Sequence, residues 1–183
     1  MLTTEFLPKS QLSEYGAWLK AQDPETLRHY FGYSITPESI DQLIKKFIDD
    51  YRNNTFLIAK IDGRWAGSIH IATHGNEVEF GVIVALQYRK QGIASTMMDD
   101  AITWARNRYY TGLFMHCISW NLPIKRLCQK HGLTPRNMMG DSEANLALPP
   151  PTPFTYLKEQ LLIQRNLIAK LRFYQLHHYQ FSK

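Results

Sequence analysis

The run Arg89-Lys90-Gln91-Gly92-Ile93-Ala94 has the residue types and spacing that holding a phosphate would need. It follows the apolar run Phe80-Gly81-Val82-Ile83-Val84 and opens a segment with helical periodicity. A strand therefore turns, through a glycine-containing loop, into the N-terminus of a helix. At such an end the first backbone N–H groups have no intrahelical acceptor, and the aligned peptide dipoles leave a partial positive charge. An anion fits there. Arg89 and Lys90 add charge, Gly92 lets the backbone approach closely, and Ala94 stays small. The spacing is neither that of a nucleoside-triphosphate loop nor the three-glycine dinucleotide fingerprint. The plainer reading is an ordinary helix start after a loop.

The elements that must position this loop are legible as periodicities. Thr3 to Leu7 reads as a first strand. Ser10 to Gln22 reads as a helix with Leu12, Tyr15 and Leu19 on one face, ended at Asp23-Pro24. Thr36 is placed to cap a second helix, with Pro37 at its first position, and Ile40, Leu43, Ile44, Phe47, Ile48 and Tyr51 recur at helical spacing. Between these helices, Asp23 to Ser34 reads as loop or short helix carrying Tyr30, Phe31 and Tyr33. Three strands follow: Thr55 to Ile61, Trp65 to Thr73 and Glu77 to Val84, turned by Asp62-Gly63 and Gly75-Asn76. Beyond the loop, Ala94, Met97, Met98, Ala101, Ile102 and Ala105 line one helical face. Gly112 to Ser119 has strand length. Asn121 to Lys130 reads as a helix ended by Gly132, and Arg136 to Met139 as a last strand. The expected fold is α/β: a mixed, mainly antiparallel central sheet with helices on both faces.

A second motif lies one helix and one strand after the loop. The segment Asn121-Leu122-Pro123-Ile124-Lys125-Arg126-Leu127-Cys128-Gln129-Lys130-His131-Gly132-Leu133 resembles the later motif of the GCN5-related N-acetyltransferases. In that motif an asparagine precedes a helix ending in Lys-x-Gly-Phe. Asn121, Lys130 and Gly132 match, and Leu133 stands for the phenylalanine. The Arg89–Ala94 loop resembles the same family's pyrophosphate-binding loop. Together the two matches cover about residues 55 to 140.

The resemblance implies the acetyltransferase fold and acetyl-coenzyme A as co-substrate, with no metal. It assigns the pyrophosphate to Arg89, Lys90, Gln91, Gly92, Ile93, Ala94 and Ser95. It assigns the pantetheine amides to Ile83 and Val84, whose backbone would pair with them like an added strand. A backbone N–H near Val84 would stabilise the developing oxyanion, and Asn121 would contact the cofactor from the far side of the cleft. His116 holds the position of a base in members that acetylate protein N-termini. An imidazole titrating near neutrality suits that task; a histidine hydrogen-bonded within the sheet is the other reading. Glu79 or Glu77, on the strand before the loop, would join it, or else be solvated strand residues. Cys128 stands where many members have a tyrosine that protonates the leaving thiolate. A thiol can donate a proton, but a buried cysteine is more often an inert small hydrophobe. Leu86 replaces a frequent proline. Trp18, Tyr30, Phe31 and Tyr33 either line the acceptor cleft or belong to the core.

Composition bounds the rest. With 183 residues, 44% hydrophobic and 20% charged, the chain suits one soluble globular domain with an appendage. Apolar runs are too short to span a bilayer, and the N-terminus lacks the pattern of a signal peptide. The two cysteines, Cys117 and Cys128, are poorly placed for a disulfide framework or zinc site, which favours a reducing, cytoplasmic compartment. The net charge of +5 is spread along the chain, which argues against a nucleic-acid stripe and fits an anionic co-substrate. The expected organisation is a catalytic domain over 1–148, a proline-rich link over 149–155, and a C-terminal helix and tail over 156–183. Leu157, Leu161, Leu162, Ile168, Leu171 and Phe173 give that helix a broad apolar stripe, packed on its own domain or on a second copy of the chain. The function expected is acetyl transfer from acetyl-coenzyme A to a primary amine, in a small molecule or a protein. The alternative is a non-catalytic acyl-coenzyme A-binding module of the same fold.

Overall fold

Strands β2 (Asn54–Ile61) and β3 (Arg64–His74) form a hairpin closed by Asp62 and Gly63, both at positive φ (48° and 80°). That is the backbone twist a two-residue turn needs to keep right-handed strands paired. β1 (Leu2–Phe6) and β4 (Glu77–Val84) add antiparallel to either side. β5 (Gly112–Cys117) joins β4 in parallel, and β6 (Thr134–Met138) and β7 (Asp141–Ala147) complete a seven-stranded sheet of order β1-β2-β3-β4-β5-β7-β6. The computed structural model describes residues 1–117, 121–138 and 141–180, so the expected strand ends at Ser119 and Met139 lie outside the described residues.

Side-chain alternation along the central strands feeds two cores. Leu57, Ile69, Ile71, Val78 and Phe80 point to the face covered by α4 (Ile93–Asn107) and α5 (Leu122–Lys130). Phe56, Ile58 and Ile83 point to the other face, under α1 (Leu12–Lys20), α2 (Pro24–Phe31) and α3 (Pro37–Asp49). The helix starts follow local chemistry. Asp23 accepts from the Thr26 N–H at 2.9 Å, Thr36 accepts from the Ser39 N–H at 3.2 Å, and a proline opens both helices.

β7 was not expected from the sequence. Asp141-Ser142-Glu143-Ala144-Asn145-Leu146-Ala147 is poor in β-branched and aromatic residues, yet it is paired on both sides, by β5 and by β6. Ladder hydrogen bonds on both edges override weak strand propensity. The proline-rich segment is shorter than its composition suggested, because β7 runs to Ala147 and α6 (Pro153–Gln180) starts on a proline. It is held down by Arg106, whose guanidinium donates to the Pro149 and Pro150 carbonyls at 3.1 and 3.0 Å. α6 packs on α4 and β1. Asn107 donates to the Thr155 carbonyl and to Glu159, and Arg108 pairs with Glu159 at 3.0 Å. Leu157, Leu161, Leu167 and Leu171 of α6 remain exposed. Among the described residues no helix is long and apolar enough to cross a membrane.

Candidate active site

β4 and β5 pair only at one end. Glu77, Val78 and Glu79 are matched with Gly112, Leu113 and Phe114; beyond Phe114 the described residues of the two strands share no further pair. β4 is still tied to β3 as far as Val84, opposite Gly67. The strands therefore part, and the edge of β4 facing β5 presents backbone N–H and C=O groups to the gap. A cavity of about 540 Å³ opens there, lined by Val82, Ile83 and Val84 on one side and by Asn121, Ile124 and Leu127 on the other.

The floor of this cavity is the start of α4. Gly92 is its N-cap residue, at φ 77° with no side-chain cap, and the first turn carries no acidic residue. Its N–H groups are thus left for a ligand, in a field that favours an anion. A Cβ built on Gly92 would meet nothing within 4 Å; what keeps glycine there is the left-handed backbone, and the open space is where an approaching group fits. Lys90 is also at positive φ, 62°. Lys90, Ile93, Ala94 and Ser95 line the cavity. Gln91 is exposed, and its amide donates to the Gln87 carbonyl at 3.3 Å.

Arg89 reaches across the site. Its Nη2 donates to Thr26 Oγ1 at 2.6 Å and its Nε to the Val84 carbonyl at 3.3 Å. The same Thr26 bonds the Asp23 carboxylate, which is held below its usual range chiefly by that hydrogen bond. Arg89 thus ties the loop to the N-terminus of α2. Asn121 makes a second tie. It is 5% exposed, its Oδ1 accepts from the Ile124 N–H at 3.3 Å to cap α5, and its Nδ2 donates to the His29 carbonyl at 3.2 Å. Arg89 and Asn121 thus each fix one wall of the cavity to α2.

His116 and Glu79 are brought together, with Nε2 of the histidine 3.7 Å from Oε1 of the glutamate, while Glu79 Oε2 lies 3.3 Å from His74 Nε2. Sequence periodicity cannot reveal this pair, because it joins two strands through their parallel register. His116 is exposed and Glu79 partly so; both stand beside the cavity and outside its lining. Glu77 lies against Gly112 at the paired end of the strands. Tyr30 connects the two regions. It lines the cavity, and its hydroxyl packs against Gly81, where a Cβ would lie 3.1 Å from it. Burial above all, then Tyr15 and the Glu79 charge, pushes its phenol well above the ordinary range, so it stays a hydrogen-bond donor.

Cys128 is 3% exposed and packs in the core of the α4 face, its Sγ 3.8 Å from Met115 Sδ, outside the cavity lining. Of Trp18, Tyr30, Phe31 and Tyr33, Tyr30 lines the cavity, as Tyr88 also does; Trp18 packs on Tyr15 and Trp65, Phe31 on Tyr30, and Tyr33 is exposed. A histidine passed over in the sequence, His131, bonds Ser95 Oγ through Nε2 at 3.0 Å. Its place in the motif, beside Lys130 and Gly132, was the only signal.

Solved structures share this architecture, among them the following three. The GNAT domain of S. lividans PAT is 15% identical, with 79% of this chain and 89% of that one aligned at a TM-score of 0.70. Spermidine N-acetyltransferase from Vibrio cholerae, in complex with CoA and spermine, is 14% identical over 80% and 95% of the two chains, at 0.64. PaiA N-acetyltransferase from Thermoplasma acidophilum, in complex with coenzyme A, is 15% identical over 80% and 99%, at 0.62. At such identities the likeness is one of fold. No curated protein matches the chain by sequence. Residues 17–133 match the Acetyltransferase (GNAT) family, and they contain both the uncapped α4 start and the Asn121 tie. The chain belongs to that family.

Proposed function

We propose that the protein transfers an acetyl group from acetyl-coenzyme A to a primary amine by direct attack in a ternary complex. The observation that carries this reading is the parting of β4 from β5 directly above the uncapped start of α4, in one cavity. N–H groups of Gly92, Ile93, Ala94 and Ser95 would hold the pyrophosphate, helped by Lys90. Backbone groups of Ile83 and Val84 on the open strand edge would hold the pantetheine amides. A β4 N–H near Val84 would face the thioester oxygen as it gains charge, where a preorganised donor is worth most.

His116 is the base. Glu79 orients the ring and stabilises its protonated form once the amine has given up its proton. The leaving thiolate departs without a dedicated acid from Cys128, whose thiol lies among core side chains. The coenzyme A and spermine bound in the Vibrio cholerae neighbour support an amine acceptor. A non-catalytic acyl-coenzyme A-binding module is favoured only by that missing acid. The deciding experiment is a panel of small amines, polyamines and peptide N-termini incubated with acetyl-coenzyme A. Acetylated product dependent on His116 supports the enzyme, whereas tight binding without product on every acceptor supports the module. Within the same reading the domain spans 1–148, a link follows, and α6 bears an apolar row of Leu157, Leu161, Ile168 and Leu171 that a second copy would cover. The protein would work in the cytoplasm.

A further inference from the structure

Ser95 enters the cavity from the first turn of α4, and behind it stands a relay that the reaction does not use. His131 Nε2 lies 3.0 Å from Ser95 Oγ, and His131 Nδ1 lies 3.4 Å from Asp99 Oδ1. The imidazole is 6% exposed, while the Asp99 carboxylate is 57% exposed and stays in water. Serine, histidine and aspartate thus form a chain running from the phosphate end of the cavity to the surface, along one face of α4 and across the C-terminus of α5.

The Asp99 carboxylate, 3.4 Å from Nδ1, favours the tautomer in which a neutral His131 carries its proton there. Nε2 is then bare and must accept from the Ser95 hydroxyl. In that state Ser95 turns lone pairs, not a proton, towards an anion in the cavity. When the ring gains a second proton, Nε2–H donates to Ser95 Oγ. The hydroxyl hydrogen is released and can be given to a phosphate oxygen. The polarity of Ser95 therefore follows the charge of His131.

We propose that His131, braced by Asp99, is a positioning residue for the pyrophosphate of the acyl donor, and that donor binding takes up a proton at this ring. The proposal rests on the reading that coenzyme A pyrophosphate occupies the start of α4. The groups facing His131 are Ser95 and Asp99 from α4, Lys130 from its own helix and Lys158 from α6. Burial holds the ring below its ordinary value, Lys130 and Lys158 push the same way, and Asp99 opposes them. These surroundings thus favour the neutral ring. An arriving phosphate adds negative charge and an acceptor, and shifts the ring towards its charged form. By linkage, affinity rises as pH falls through the ring's titration.

The test is calorimetric titration of the full-length protein with dephospho-coenzyme A, which lacks the ribose phosphate monoester and keeps only the fully ionised pyrophosphate. Wild type is expected to bind several-fold more tightly at pH ~6 than at pH ~8, the gain approaching about tenfold for one unit of pKa shift only below the free ring's own titration. Proton uptake should be read from buffers of different ionisation enthalpy. His131→Phe and Ser95→Ala should each flatten the profile, and His131→Gln should hold it flat at the tighter level, since its amide donates to Ser95 at every pH. An NMR titration of the wild-type His131 ring gives the same answer without a variant: its pKa should rise when dephospho-coenzyme A saturates the site. Tight binding with no pH dependence, a profile unchanged in His131→Phe, or an unmoved ring pKa would overturn the proposal and leave the coenzyme A site standing. Absence of binding at every pH would overturn both.

Discussion

At the scale of single residues, the loop proposed to hold phosphate is defined by what it omits. Gly92 leaves its helix uncapped, and the first turn has no carboxylate, so the positive end of α4 is kept for a ligand. Gly92→Glu sets a carboxylate at that end and forces a side chain onto φ 77°, a strain of roughly 1 kcal/mol. The expected outcome is loss of coenzyme A binding by at least about a hundredfold with a thermal midpoint lowered by a few degrees. Calorimetry and a melting scan check both, and surviving affinity would show that the loop is not the phosphate site. His116→Ala is expected to lower kcat by about 10²-fold with the acetyl-coenzyme A KM little changed, because general base catalysis contributes on that order. Glu79→Gln should fall in the same direction by less. Glycine, basic residues and histidine were readable from residue type and spacing. The His116–Glu79 contact was not, since it depends on how far β4 slides past β5.

At the scale of elements, the cavity is a mismatch between neighbouring strands that two side chains hold in place. Arg89 fastens the loop to α2 through Thr26, and Asn121 caps α5 while gripping the His29 carbonyl. Asn121→Ala removes the α5 cap and the hydrogen bond to the His29 carbonyl. It should cost about 1–2 kcal/mol of stability and also weaken coenzyme A binding, as the α5 wall comes loose from α2. Chemical denaturation and calorimetry on one preparation test the pair of effects. A stability loss with unchanged affinity would mean that the wall is set elsewhere. The sequence disclosed the helices, their caps and the central strands, because period and capping chemistry are local. It did not disclose β7, whose composition is that of a loop and whose strand state comes from partners on both edges.

At the scale of the whole molecule, two cores on either side of one sheet flank the cleft, and His70, with His131, resists taking up a proton in acid. His70 stacks on Phe56, packs against Phe47 and donates to Asn54 Oδ1 at 2.7 Å. Burial, with a smaller push from His74, lowers its pKa from 6.5 to about 4. The unfolded chain thus binds a proton that the folded chain refuses between those values. Stability falls as pH drops through that window, by up to about 3 kcal/mol. Replacing His70 with Gln should flatten the pH dependence of the unfolding free energy over that window, measured by denaturant titration at several pH values. Self-association through the outer row of α6 would appear as a mass rising with concentration in sedimentation, reversed by Leu161→Lys. The sequence by itself determined the family, the fold class and the glycine turn that opens α4, because these are written in local order: a strand, a glycine turn, a helix start and an asparagine at fixed remove. Only the tertiary structure decided which groups meet. Whether Cys128 faces the cleft or the core, whether His116 finds Glu79, and whether His131 stands behind Ser95 all depend on strand register and helix packing, which bring together residues that no period in the chain relates.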